Sequence, residues 1–164
     1  MPEEYRIPQL SKPIQGYRVR FYDGGDRIRF FHMTEEERDV AYHFIRSGVL
    51  VGDWYCDIRL PSKKASWLLE FREPYRRMWE NLLSKRIDLL CVQSDAIHII
   101  EVKRLMLSSG VGQLLTYYHM FIREYLPTVP VYMWYATFYP DPDVKEICEI
   151  YDIRTWTYIE SEKG

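Results

Sequence analysis

Two carboxylates and an ammonium fall close together in the stretch Arg86 to Lys103, RIDLLCVQSDAIHIIEVK. Ile87, Leu89, Leu90, Cys91 and Val92 precede a polar turn and Ile97, Ile99 and Ile100 follow it, a pattern that predicts two short β-strands. A two-residue loop at Ser94 and Asp95 makes Gln93 face Ala96, and that register sets Asp88 directly opposite Glu101. Side chains alternate along a strand, so Lys103 shares the face of Glu101. Like charges directly opposed destabilise a hairpin by roughly 0.2 to 1 kcal/mol unless something neutralises them. A divalent cation would do so. Facing carboxylates suit the hard cations Mg²⁺ or Mn²⁺ better than zinc, and Mg²⁺ takes one or two protein carboxylates, leaving its other positions to water and substrate phosphate. Lys103 could orient or deprotonate an attacking water, or steady the charge that builds on a phosphate. The chemistry these residues suit is phosphodiester hydrolysis. A surface network of Glu101–Lys103 and Asp88–Arg86 pairs is the plainer alternative, disfavoured by the apolar residues that fill both strands. A one-residue shift of the turn would move Asp88 and Glu101 to opposite faces.

The elements that must hold these residues are legible in outline. Tyr17 to Phe31 alternates around Asp23-Gly24-Gly25-Asp26 as an N-terminal β-hairpin, with Arg18, Arg20, Arg27 and Arg29 on one side, either a solvated face or a phosphate-contacting arm. Thr34 and Glu37 have the spacing of a capping box, so a helix should run from there to about Ser47 and stop at Gly48. Its apolar stripe of Val40, Ala41, Phe44 and Ile45 also carries Glu37, whose oxygens can serve the cap or a metal but not both; Glu36 is the fallback acid if the helix is rotated. Trp54 to Leu60 reads as a strand. Residues 61 to 85 read as a helical insert with Trp67, Leu68, Phe71, Tyr75, Met78 and Trp79 at helical spacing, and Pro74 must begin or kink a helix there. Ser108 or Ser109 is a plausible cap for a helix over about Val111 to Tyr125, on which Gln113 and Tyr117 are neighbours. Val129 to Phe138 is an apolar interior strand, Asp141 and Pro142 open a short helix ending near Ile150, and Thr155 to Ile159 gives a last strand.

The totals bound the class. With 164 residues, 47% hydrophobic and 28% charged, the chain suits one globular domain, 1–33 as an extension and 34–164 as the core. No apolar run reaches the roughly 18 residues of a membrane span, and the acidic start MPEEYR lacks a signal-peptide pattern, so a cytoplasmic protein with no membrane partner is expected, cellular or virus-encoded. Cys56, Cys91 and Cys148 are far apart and read as buried thiols. Of the histidines, His43 lies on a helix, His98 points away from Glu101, and His32 and His119 have no ligand-spaced partners. Net charge is −2, but counting Lys and Arg against Asp and Glu gives +4 for residues 57 to 86. Lys63, Lys64, Arg72, Arg76, Arg77, Lys85 and Arg86 line that segment, beside the carboxylate hairpin, with Arg104 just after it. They are a solvated helix face or a surface that guides a polyanion inward.

An acidic residue on one strand, a hairpin, then Glu-x-Lys on the next resembles the signature of the PD-(D/E)xK nuclease superfamily, here Asp88 and Glu101-Val102-Lys103. Glu37 with the following Arg-Asp-Val-Ala looks like the first helix of archaeal Holliday-junction resolvases, and Gln113-Leu-Leu-Thr-Tyr117 resembles the QxxxY helix motif. The similarity covers roughly residues 34 to 138; Ile87 replaces the eponymous proline, and the 61–85 insert is longer than a compact resolvase needs. The resemblance implies a restriction-endonuclease-like α/β fold, a mixed central sheet flanked by helices. It also implies a Mg²⁺- or Mn²⁺-dependent deoxyribonuclease, an endonuclease acting on branched or junction DNA and working as a homodimer. Glu37, Asp88 and Glu101 would be its metal-site acids, the Val102 carbonyl a backbone ligand, Lys103 the residue serving the attacking water, and Gln113 and Tyr117 its supports. The alternatives are an inactive nucleic-acid-binding module on the same fold and a structural or interaction domain.

Overall fold

Residues 86 to 103 fold as the antiparallel hairpin that their pattern predicts. In the computed structural model, which describes residues 2–20 and 33–158, strand β4 (Lys85–Val92) pairs with β5 (Ile97–Val102). Leu89 faces Ile100, Val92 faces Ile97, and the Gln93 N–H donates to the Ala96 carbonyl at 2.9 Å, so the two-residue loop and its register are those expected.

The remaining strands extend the hairpin into one mixed sheet of seven, in sequence order. On one side lie β3 (Asp53–Leu60), β2 (Ile14–Arg18) and β1 (Glu3–Tyr5), all antiparallel. On the other lie β6 (Val131–Thr137) and β7 (Ile153–Thr157), parallel to β5. Parallel neighbours need crossovers, and helices α3 (Ser108–Tyr125) and α4 (Pro142–Ile150) supply them. Helix α1 (Glu35–Arg46) covers the opposite face. Two cores result. Leu90, Val92, Ile97, Ile99 and Tyr135 pack with Val111, Leu114 and Phe121 of α3, while Leu89, Cys91, Ile100 and Trp134 pack with Val40, Phe44 and Ile45 of α1. All three cysteines are buried free thiols. His98 is buried on the α1 side, away from Glu101 as expected, accepting from the Trp134 indole at Nδ1 (2.9 Å) and facing Gln93 Oε1 through Nε2 (3.0 Å). No helix among the described residues is long and apolar enough to cross a membrane.

Several local expectations need correction. The first long strand starts at Ile14 rather than Tyr17 and pairs with β1, a strand of three residues too short and polar to carry a pattern. The rest of the expected 17–31 hairpin, with Arg27 and Arg29, lies outside the described residues. In the 61–85 insert a 3₁₀ turn at Ser66–Glu70 is followed by α2 (Tyr75–Leu83), so Pro74 begins a helix, the first of the two roles expected for it. Neither Ser108 nor Ser109 caps α3; the extended backbone of Leu107 does, and both serines lie inside the first turn. The last strand ends at Thr157, two residues before the expected limit.

Candidate functional site

The β4–β5 ladder closes on the Leu89–Ile100 pair, and just beyond it Asp88 makes the next link itself. Its Oδ2 accepts from the Val102 N–H at 2.9 Å, and its carboxyl shares a hydrogen bond with that of Glu101. Glu101 is 4% exposed. Burial and then the Asp88 charge push its carboxyl well above the usual range. Burial pushes Asp88 up to about 6; the Val102 N–H works against the rise and the Glu37 charge adds to it. Lys103 Nζ lies 3.6 Å from Glu101 Oε1, so the three groups of the hairpin do converge. Of the plainer network, the Glu101–Lys103 pair is formed, while Arg86 pairs with Asp57 at 3.7 Å.

Glu37 approaches from α1. Its Oε2 accepts from the Thr34 N–H at 3.3 Å while Thr34 Oγ1 accepts from the Glu37 N–H at 3.2 Å, which completes the expected capping box. Its charge still reaches Asp88, but the cap holds the carboxylate at the rim. Among the described residues no group of three or more His, Cys, Asp or Glu side chains is arranged to hold a metal. The three acids expected as a ligand set are thus not gathered into one group among the described residues, and Glu37 is engaged in its helix cap, with oxygens a metal would also need. Glu36 is bound elsewhere, to Arg104 Nη1 at 2.8 Å.

Helix α3 closes the site from the other face. Burial pushes the Tyr117 phenol up, and the charges of Glu101 and Asp88 push it further, against a side-chain hydrogen bond from Gln113. Gln113 Oε1 is buried without a hydrogen-bond partner among the described residues. Such an orphan is costly unless something meets it, about 1 to 3 kcal/mol for a buried acceptor. The helix can come this close because residue 110 is glycine: a Cβ there would sit 2.4 Å from the Tyr135 ring, whose hydroxyl donates to the Leu107 carbonyl at 2.8 Å.

These residues fit a hard cation held by few protein ligands. The buried Glu101 and half-buried Asp88 carboxyls share a hydrogen bond, an uncompensated amide oxygen lies on the adjoining helix, and the Val102 backbone is tied to Asp88. Mg²⁺ with one or two carboxylates and the rest water matches that donor set; zinc does not. An open cleft of about 430 Å³, lined by Thr34, Glu36, Glu37, Lys103, Arg104 and Tyr139 among others, leads to the Lys103 side of the site.

The basic residues divide. Lys63 and Lys85 line a cavity of about 480 Å³ together with Ser62, Thr116, His119 and Arg123, and no carboxylate lines it among the described residues. Sequence reading missed all four of these partners, three of them on α3: Thr116, His119 and Arg123. The usable signal was their spacing, since 116, 119 and 123 share one face of α3. Arg76 is a structural residue, its guanidinium bonded to the carbonyls of Leu68, Leu69 and Phe71. Arg18 pairs with Asp53 at 3.2 Å. Lys64, Arg72, Arg77 and Arg20 are exposed, and Arg29 lies outside the described residues. Compared with known protein families, curated proteins and solved structures, the chain has no match, so its function is read from this geometry alone.

Proposed function

We propose that the chain is a metal-dependent nuclease that hydrolyses DNA phosphodiester bonds, on a restriction-endonuclease-like version of the mixed sheet. One observation carries this reading: a buried carboxyl, Glu101, and a half-buried one, Asp88, face each other at a strand end with a lysine ammonium 3.6 Å from Glu101, beside an open cleft. A structural role alone gives no reason to oppose them. Asp88 and Glu101, with the Val102 carbonyl, would hold Mg²⁺ or Mn²⁺, which when bound supplies the positive charge that polarises the phosphate. Lys103 orients the attacking water and, as an ammonium 3.6 Å from Glu101, steadies the charge that builds on the phosphate. Tyr117 and Gln113 fix the Glu101 side of the site from α3, and Glu37 contributes its charge from the rim. The carboxylate-free cavity at Lys63, Lys85 and Arg123 suits the phosphate backbone. Cutting both strands of a junction would need two copies of the chain, so a homodimer belongs to this proposal.

The second reading is a nucleic-acid-binding module without hydrolysis, favoured by the engagement of Glu37 in its helix cap. Incubating branched, linear duplex and single-stranded DNA with Mg²⁺ or Mn²⁺ separates the two. The nuclease reading expects cleavage by wild type and a loss of about 100-fold or more in Asp88→Asn and Lys103→Met, with DNA affinity retained. Salt-sensitive binding without cleavage by wild type would establish the binding module. Cleavage that survives Asp88→Asn would overturn the assignment of the site.

A further inference from the structure

A second cleft, of about 320 Å³, adjoins the first and shares Glu36, Arg104 and Tyr139 with it. It lies beyond the carboxyl ends of β5 and β6, where ligands of open α/β sheets collect. Its floor is aromatic. The His43 ring lies 4.7 Å from that of Tyr158, and Phe138 lies 5.2 Å from Tyr158. At the mouth, Tyr139 is 46% exposed with the Arg104 guanidinium 5.6 Å above its ring. The Asp39 carboxylate also lines the cleft. The volume is at the low end for a ligand pocket and suits one flat ring system rather than an extended chain.

We infer that this cleft is a nucleobase subsite, which takes one unpaired base next to the phosphate at Lys103. The inference rests on the nuclease reading and specifies its substrate as DNA with an unpaired nucleotide at the cutting point. Aromatic and guanidinium faces stack on any base, since every base has a π-face. The carboxylate adds selectivity. It accepts hydrogen bonds and donates none, so it favours a base edge rich in N–H donors, guanine above all, and disfavours thymine, whose exposed edge is mainly carbonyl. Arg104 is held by Glu36 at 2.8 Å beside the Tyr139 ring, and the acids of the cleft repel a backbone that enters too far.

Fluorescence anisotropy in Ca²⁺ tests this with three labelled duplexes: blunt, with one unpaired guanine, and with one unpaired thymine. Wild type should bind the unpaired-guanine duplex about tenfold more tightly than the blunt one, with thymine in between. Tyr139→Ala should remove most of the gain for both bases, Tyr139→Phe should keep it, and Asp39→Asn should erase the guanine-over-thymine difference alone. Blunt-duplex affinity is measured beside the others in each variant, and the change that counts is in the ratio of unpaired-base to blunt-duplex affinity. Equal wild-type affinity for all three duplexes, or an unchanged preference in both Tyr139→Ala and Asp39→Asn, would overturn the subsite. If the preference is found but wild type cuts none of these DNAs in Mg²⁺, the subsite stands and hydrolysis falls.

Discussion

Asp88 and Glu101 are held against their own electrostatics, and that makes a prediction about stability. The Asp88 carboxyl is raised to about 6 by burial, so the group binds its proton in the folded chain at a pH where the unfolded chain has lost it. Its favourable contribution is full below the ordinary carboxyl value and is lost as pH rises through about 6. In EDTA at pH 7.5, Asp88→Asn should therefore be more stable than wild type by about 1 to 2 kcal/mol in urea melts, and the gain should vanish near pH 4. His98 has the opposite sign. Burial and then the Arg154 charge depress it to about 4, so stability present above the ordinary imidazole value is lost as pH falls toward 4. The stability of wild type relative to His98→Gln should drop by about 2 to 3 kcal/mol between pH 6.5 and 4; a pH-independent difference would contradict the buried neutral imidazole. The hairpin residues were legible in the sequence because strand alternation and a two-residue turn are local rules. The fate of Glu37 was not, since a cap and a ligand call for the same residue type at the same helix position and only the fold decides between them.

At the scale of elements, α3 lies almost on the sheet, where Tyr117 feels the charges of Glu101 and Asp88 and the Gln113 amide oxygen is buried, and Gly110 is what permits it. Gly110→Ala should cost about 1 to 3 kcal/mol by forcing the helix start off the Tyr135 ring, and Gly110→Ala with Tyr135→Leu should recover part of that loss. Thermal melts of the single and double variants check this; a neutral Gly110→Ala would mean that the helix is not so tightly seated. Helices α1 and α4 were legible from their caps, Thr34 with Glu37 and Asp141 with Pro142, because cap chemistry is written in consecutive residues. The three-residue β1 was not, because Glu3–Tyr5 is held by pairing with β2 and carries no pattern of its own. The start of α3 at Leu107 escaped for the related reason that no side chain caps it.

For the whole molecule, a net charge of −2 does not forbid a polyanion when the cations are grouped. The cavity at Lys63, Lys85 and Arg123 draws residues from the insert, β4 and α3, and only the fold assembles it; the sequence showed its first two members as part of a basic run. Replacing those three by Ala should weaken duplex binding independently of sequence and lower the slope of log affinity against log salt by about 2 to 3, measured by anisotropy across a salt series. An unchanged slope would remove this cavity from the DNA path. The central claim is that the opposed carboxyls are a cation site. Titration of the metal-free protein with Mn²⁺, followed by the electron paramagnetic resonance of the free ion, tests it most directly. The account predicts saturable binding by wild type and its loss in Asp88→Asn and Glu101→Gln; equal Mn²⁺ binding by all three proteins, or none by wild type, would contradict it.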